Sequence, residues 1–242
     1  MSTTNQELDR IATAYHLNEE VPDMRIENLC QEYFIEWLLK FVQPGMRVLE
    51  LGYGDGLVTS ALAKSGCDLT LVEGSSILMD LAAKRHPNVN CIFTLFEQYV
   101  PATSFDLILA AHVLEHLDDP VAMLRLMLPW LNYDGSLIVV VPNQNSLHRR
   151  LAVSMGLQSH LDTLSKRDLM VGHRRVYSLD QLVSQVENAN FKVISKSGFF
   201  VKILPNSMML DFSRELLWAM NSIASDLPVE LAANLAIVAS RK

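Results

Sequence analysis

Val48-Leu-Glu-Leu-Gly52-Tyr-Gly54-Asp-Gly56-Leu-Val-Thr-Ser60 decides the fold of this 242-residue chain. The apolar run predicts a buried strand, the three glycines a turn, and the residues after Gly56 the start of a helix. Glycines at such a turn adopt positive φ without strain and let the backbone approach a ligand that side chains would exclude. The spacing departs from Gly-x-Gly-x-x-Gly because position 57 is Leu57, and the acid Glu50 stands two residues before the first glycine. Glu73 lies 21 positions past Gly52, at the end of the next apolar run, where a carboxylate can accept both hydroxyls of a ribose.

The same rhythm extends in both directions. Short apolar runs at Arg47–Leu51, Leu69–Glu73, Val89–Thr94, Phe105–Ala111 and Ser136–Val141 alternate with helical stretches at Leu57–Lys64, Ser76–Arg85 and Pro120–Leu131. A helix over Ile26–Val42 precedes them and stops at Pro44-Gly45. Strands alternating with helices predict an α/β, doubly wound, mostly parallel sheet with helices on both faces. Residues 143–177 break the rhythm with three His and six Lys/Arg, which predicts an inserted cap above the sheet on the substrate side. After it come a capping box, Ser178-Leu-Asp-Gln181, opening a helix to about Asn188, a strand at Phe191–Lys196, a helix near Phe212–Ala224 and a last strand at Leu235–Ser240. Residues 1–25 are mixed and polar, and we expect a lid or tail there, with one domain over residues 26–242.

Half of the residues are hydrophobic and 19% are charged, a balance that buries a sizeable core. With 20 Lys+Arg against 27 Asp+Glu the net charge is −7, which repels nucleic-acid phosphates and favours a small-molecule substrate. Cys30, Cys67 and Cys91 are odd in number and lack Cys-x-x-Cys spacing, so reduced thiols are expected rather than disulfides or a zinc ribbon. The first residues lack the pattern of a signal peptide and no stretch has the length of a membrane span, from which we expect a cytoplasmic protein without a membrane partner. A homodimer is an open expectation.

Glu50-Leu-Gly-x-Gly-x-Gly56, the acid at Glu73, Phe105-Asp-Leu-Ile108 and His112-Val-Leu-Glu-His116 together resemble the class I S-adenosylmethionine-dependent methyltransferases of the small-molecule group, over about residues 30–142. The resemblance implies a seven-stranded sheet with the last strand antiparallel and S-adenosylmethionine as cofactor. It places Glu50, Gly52, Tyr53, Gly54 and Gly56 around the methionine and ribose portions, Glu73, Gly74 and Ser75 at the ribose, Phe96 and Glu97 at the adenine, and Ala111 and His112 beneath the cofactor. The sequence departs from the family at Tyr53, where Cys or Ala is common, and at Leu95-Phe-Glu97, where many members carry an Asp-containing turn.

Methyl transfer from a sulfonium is an in-line displacement, so positioning and exclusion of water matter most, and an alcohol acceptor gains from a general base. His173, in Gly172-His-Arg-Arg-Val-Tyr177, is the first choice for that base, with His116 and His112 following. Each of them also has a bland reading as a packing or hydrogen-bonding histidine. No metal is expected, although His112, Glu115, His116 and His173 offer N/O ligands and similar quinone-precursor and RNA-end methyltransferases hold a divalent metal at Glu-x-x-Glu-His, whose first acid is His112 here. Arg149, Arg150, Arg174 and Arg175 could grip an anionic substrate or be surface charges. Phe199–Met209 could wall the substrate pocket or pack in the core, and Tyr15 with Pro22-Asp-Met-Arg25 could fold over the cofactor. The expected function is methylation of a small molecule, O-directed, on a sugar or natural-product metabolite. The alternatives are a metal-assisted O-methyltransferase of the quinone-precursor type and a non-catalytic cofactor-binding scaffold.

Overall fold

Alternate residues along the central strands point to opposite faces of the sheet, and both faces are apolar. The computed structural model describes residues 4–18 and 24–242, so the Pro22-Asp23 part of the expected lid lies outside the described residues. Its strands are β1 (Arg47–Leu51), β2 (Asp68–Glu73), β3 (Asn90–Phe93), β4 (Phe105–Ala111), β5 (Leu131–Pro142), β6 (Phe191–Phe199) and β7 (Asn234–Arg241). They form one seven-stranded sheet in the order β3-β2-β1-β4-β5-β7-β6, parallel from β3 to β5, with β7 antiparallel to both β5 and β6. The order reverses between β1 and β4, the switch point at which open α/β sheets bind ligands beyond the carboxyl ends of the strands.

The helices are α1 (Asn5–Ile11), which runs on into a π-helical turn at Ala12–His16, α2 (Met24–Leu38), α3 (Leu57–Lys64), α4 (Ser76–Arg85), α5 (Pro120–Met127), α6 (Leu147–Ser154), α7 (Lys166–Met170), α8 (Leu179–Asn188) and α9 (Arg214–Ser222). One face of the sheet, with Leu49, Ile108, Leu137, Val139 and Ile237, packs on Met123, Leu124 and Met127 of α5 and Leu182 and Val186 of α8. The other, with Val48, Leu107, Leu109, Ile138 and Val238, packs on Phe34 and Leu38 of α2 and Leu62 of α3. Burying both faces explains why these strands read as continuous apolar runs. A satellite core joins Ile26, Leu29 and Cys30 of α2 to Phe200, Met209 and Leu217, the last on α9.

Caps set many of the helix ends. Ser75 accepts from Leu78 N ahead of α4, Asp119 accepts from Ala122 N with Pro120 in the first turn of α5, and Ser178 and Gln181 form a capping box on α8. The structure departs from the expected boundaries at α5, which stops at Met127; Pro129 sits in a 3₁₀ turn and β5 begins at Leu131, five residues early, paired with Phe105. It departs again at α1, within a stretch read as mixed and polar, and at α2, which starts at Met24. Residues 143–177 are a closed excursion: Tyr177 N donates to Pro142 O and Gln144 N to Tyr177 O, and the loop between them carries α6 and α7.

Candidate functional site

Gly52, Gly54 and Gly56 have φ of 86°, 58° and 83°, a left-handed series that only glycine adopts readily. They turn the chain from β1 into α3 at the switch point. A Cβ at Gly52 would stand 3.8 Å from the Phe96 ring, and one at Gly54 4.0 Å from the ring of His16. Glu73, at the end of β2, ties this turn down: its Oε2 accepts from Tyr53 N at 2.8 Å and its Oε1 from Ser75 N at 2.6 Å. Burial pushes the Glu73 pKa up against those hydrogen bonds. Glu50 is buried beneath the turn, its Oε2 has no hydrogen-bond partner among the described residues, and burial pushes its pKa up to about 8.

Helix α1 lies across this edge. Asp9 Oδ1 accepts from Ser75 Oγ at 2.6 Å and Oδ2 from Ser76 Oγ at 2.8 Å, and Asn5 Nδ2 donates to Gly74 O at 2.7 Å. Leu8 covers Gly74 so closely that a Cβ there would meet its Cδ1 at 2.6 Å. On its other side Ile11 abuts Gly172, and Tyr15 receives a hydrogen bond from Arg167, whose guanidinium stacks over its ring. Tyr15, in a segment expected to be a lid or tail, lies in the π-helical turn after α1, and this segment links the glycine turn to the 143–177 excursion. Of the two residues expected at the adenine, Phe96 is half-buried against Gly52 and Glu97 is exposed.

The histidines gather beyond β4. Ala111 ends that strand half-buried, and His112 takes φ of 56°, an unusual conformation for a non-glycine residue that swings the chain into a 3₁₀ turn at Leu114–His116. His112 Nδ1 lies 3.0 Å from Glu115 Oε1. Desolvation works to lower the His112 pKa, but its side chain is 46% exposed and the Glu115 hydrogen bond prevails, so the net direction is up. Glu115 is fully buried; burial would raise its pKa, yet the His112 hydrogen bond and the surrounding imidazoles hold it below the usual range. Burial pushes His116 down to about 4, so its imidazole is neutral at pH 7, and its ring stands edge-on to His173 at 4.8 Å between centroids.

His173 comes from the far end of the excursion and is pinned by its backbone, His173 N donating to Asp168 O and Arg174 N to Glu115 O, both at 2.8 Å. Its Nδ1 lies 3.0 Å from Asp168 Oδ1 and its Nε2 3.9 Å from Glu115 Oε1. Glu115, His116 and His173 offer donor atoms all within 4.8 Å of one another, a set that could hold a metal ion. Sequence reasoning placed His112, His116 and His173 here but missed Asp168, whose signal was the Ser165-x-x-Asp168 capping box.

The four arginines do not converge on a common ligand. Arg149 is tied to Asp168 and Thr163 O, Arg150 to Asn145 O, Arg174 to Asp118 and Arg175 to Leu117 O. In Phe199–Met209, Phe200 and Met209 pack in the core, while Lys202 donates to Asn206 Oδ1 at 2.5 Å and Asn206 donates to Glu27, which also pairs with Arg167 at 3.3 Å.

Comparison with known proteins gives a consistent picture. The methyltransferase domain family matches residues 25–196. A ubiquinone biosynthesis O-methyltransferase of Coxiella burnetii is 35% identical over 118 residues, 44% of this chain and 50% of that protein. One from Actinobacillus pleuropneumoniae is 28% identical over 132 residues, 50% of this chain and 56% of that protein, so the chain spans about half the length of these curated relatives. Among solved structures, an S-adenosylmethionine-dependent methyltransferase of Thermotoga maritima, described as a possible histamine N-methyltransferase, superposes with a TM-score of 0.65 at 20% identity, covering 97% of this chain and all of that one. No described helix is long and apolar enough to cross a membrane.

Proposed function

The chain belongs to the methyltransferase domain family, and from that premise we propose that it transfers a methyl group from S-adenosylmethionine to a hydroxyl of a small molecule. The observation that carries the reading is the left-handed glycine series at the switch point, roped to the Glu73 carboxylate. The residues fit the cofactor at Gly52 and Gly54, where a Cβ would meet nothing nearer than Phe96 at 3.8 Å and His16 at 4.0 Å, whereas at Gly56 the Tyr53 ring fills that space; Glu73 retains acceptor capacity for a diol. Glu50 adds a buried oxygen without a partner near an expected ammonium. Gly52, Gly54, Gly56, Glu73, Gly74, Ser75 and Phe96 would hold it, with Tyr53 acting through its backbone. When bound, the sulfonium supplies an electrophilic methyl group.

The chain's own groups do the rest. Helix α1 excludes water from the turn, and His173 accepts the proton that the acceptor hydroxyl loses. The resulting imidazolium would lie between Asp168 Oδ1, 3.0 Å from Nδ1, and Glu115 Oε1, 3.9 Å from Nε2. A net charge of −7 supports a small acceptor rather than a nucleic acid. The test is incubation with methyl-labelled cofactor and a deproteinised extract, followed by identification of the labelled product. An O-methylated metabolite is expected; label on nitrogen alone, or none, counts against the reading.

A second reading is favoured by the Glu115, His116 and His173 donor set and by the likeness to ubiquinone biosynthesis O-methyltransferases: these three residues would hold a divalent cation, which would supply Lewis-acid activation of the acceptor hydroxyl. Methyl transfer abolished by a chelator and restored by magnesium or zinc selects it. Transfer that is indifferent to chelation excludes it.

A further inference from the structure

His173 has a partner whose chemistry leaves no choice of tautomer. Asp168 Oδ2 accepts from Arg149 Nη2, Ser165 N and Ser165 Oγ, each at 2.7 Å, and its Oδ1 faces His173 Nδ1 at 3.0 Å. An ionised carboxylate can only accept, so the Nδ1 bond requires the proton on Nδ1, which in the neutral imidazole leaves the lone pair on Nε2. That nitrogen faces the turn after β4, where His116 and Glu115 close around it. Arg149 in turn is buried and anchored on Thr163 O at 2.8 Å, and Ser165 and Asp168 form the capping box of α7. The whole chain of bonds, Arg149 to Asp168 to His173, lies within the 143–177 excursion.

We propose that Asp168, fixed by Arg149 and the α7 cap, is a positioning residue that locks His173 in the Nδ1–H tautomer and presents its Nε2 as the proton acceptor for methyl transfer. This rests on the reading of His173 as the base. The excursion then contributes directly to the chemistry, because it builds one orienting unit and delivers it to the edge of the sheet. No bond is made or broken at Asp168. The proton leaving the acceptor hydroxyl goes to Nε2, and Asp168 stays ionised.

Asp168→Asn separates this role from simple packing. Arg149 and the Ser165 amide are obligatory donors, so the Asn carbonyl must face them and its NH₂ must face His173 Nδ1. The imidazole then has to accept at Nδ1 and carry its proton on Nε2, the wrong tautomer for a base in that direction.

The experiment is long-range ¹H–¹⁵N spectroscopy of the imidazoles at mildly alkaline pH, with the His173 signal among the seven histidines assigned by its loss in His173→Gln. In the wild type, Nδ1 should carry the proton; in Asp168→Asn, Nε2 should. In parallel, methyl-labelled cofactor with the deproteinised extract should show kcat falling roughly 100-fold or more, with the KM for cofactor unchanged. A wild type protonated on Nε2 overturns the proposal, and that measurement stands even if the variant does not fold. An unchanged tautomer in Asp168→Asn overturns it as well, and so does a switched tautomer with undiminished turnover. Full turnover by His173→Gln is a distinct result: it removes His173 as the base and takes down the underlying reading.

Discussion

At the residue scale, burial and partner chemistry decide what each side chain does. Glu50 is the plainest case. Its folded pKa of about 8 exceeds the ordinary 4.5, so the unfolded chain releases this proton near pH 4.5 while the native one keeps it. Stability from this group is therefore full below about pH 4.5 and declines as the pH rises toward 8, by something on the order of 4 kcal/mol. Glu50→Gln should remove that slope and raise the melting temperature at pH 8 but not at pH 4; the same pH dependence in both proteins would show that Glu50 is not held neutral. Gly54→Val forces a β-branched residue to φ of 58° beside His16 and should weaken cofactor binding at least 100-fold by calorimetry. The glycines, Glu73 and His173 were legible in the sequence because a turn, a strand end and a motif mark them. Asp168 was not, because its meaning comes from Arg149 and His173, which only the fold brings to it.

At the element scale, α1 and the excursion both reach the candidate site, α1 through Leu8 over Gly74 and the excursion through His173 beside His116. Asp9 holds α1 to the first turn of α4 through Ser75 Oγ and Ser76 Oγ, and those hydrogen bonds hold its pKa down. Asp9→Ala should free α1, seen as amide exchange at Leu8–Ile11 at least tenfold faster with β1 and β4 unaffected. Unchanged exchange would show that Asn5, Leu8 and Ile11 dock the helix without Asp9. Ser178→Ala removes the hydroxyl of the α8 capping box and should cost about 1 kcal/mol, a fall of a few degrees in melting temperature without loss of methyl transfer. The strands and α3, α4 and α8 were legible from their periods and caps. Helix α1 was not, since Leu8 and Ile11 are two apolar contacts in a polar stretch, and neither were α6 and α7, whose order depends on contacts such as Arg149 with Asp168.

At the scale of the whole molecule, the alternation of runs announced a parallel sheet with covered faces, and the central strands Leu107–Leu109 and Leu137–Val141 bear this out by packing on both sides. The antiparallel last strand followed from family resemblance alone, and its place between β5 and β6 comes only from the structure, because no periodicity records which strands become neighbours. That order puts the reversal between β1 and β4, so the glycine turn and the histidine cluster both follow the carboxyl ends of these neighbouring strands, where open α/β sheets bind ligands. The central claim is that this edge of the sheet binds S-adenosylmethionine through the Gly52–Gly56 turn and Glu73. Isothermal titration of the folded protein with S-adenosylmethionine tests it most directly. The account predicts saturable binding with one site per chain, lost in Gly54→Val. No saturable heat from the wild type, or equal affinity in the variant, would contradict it.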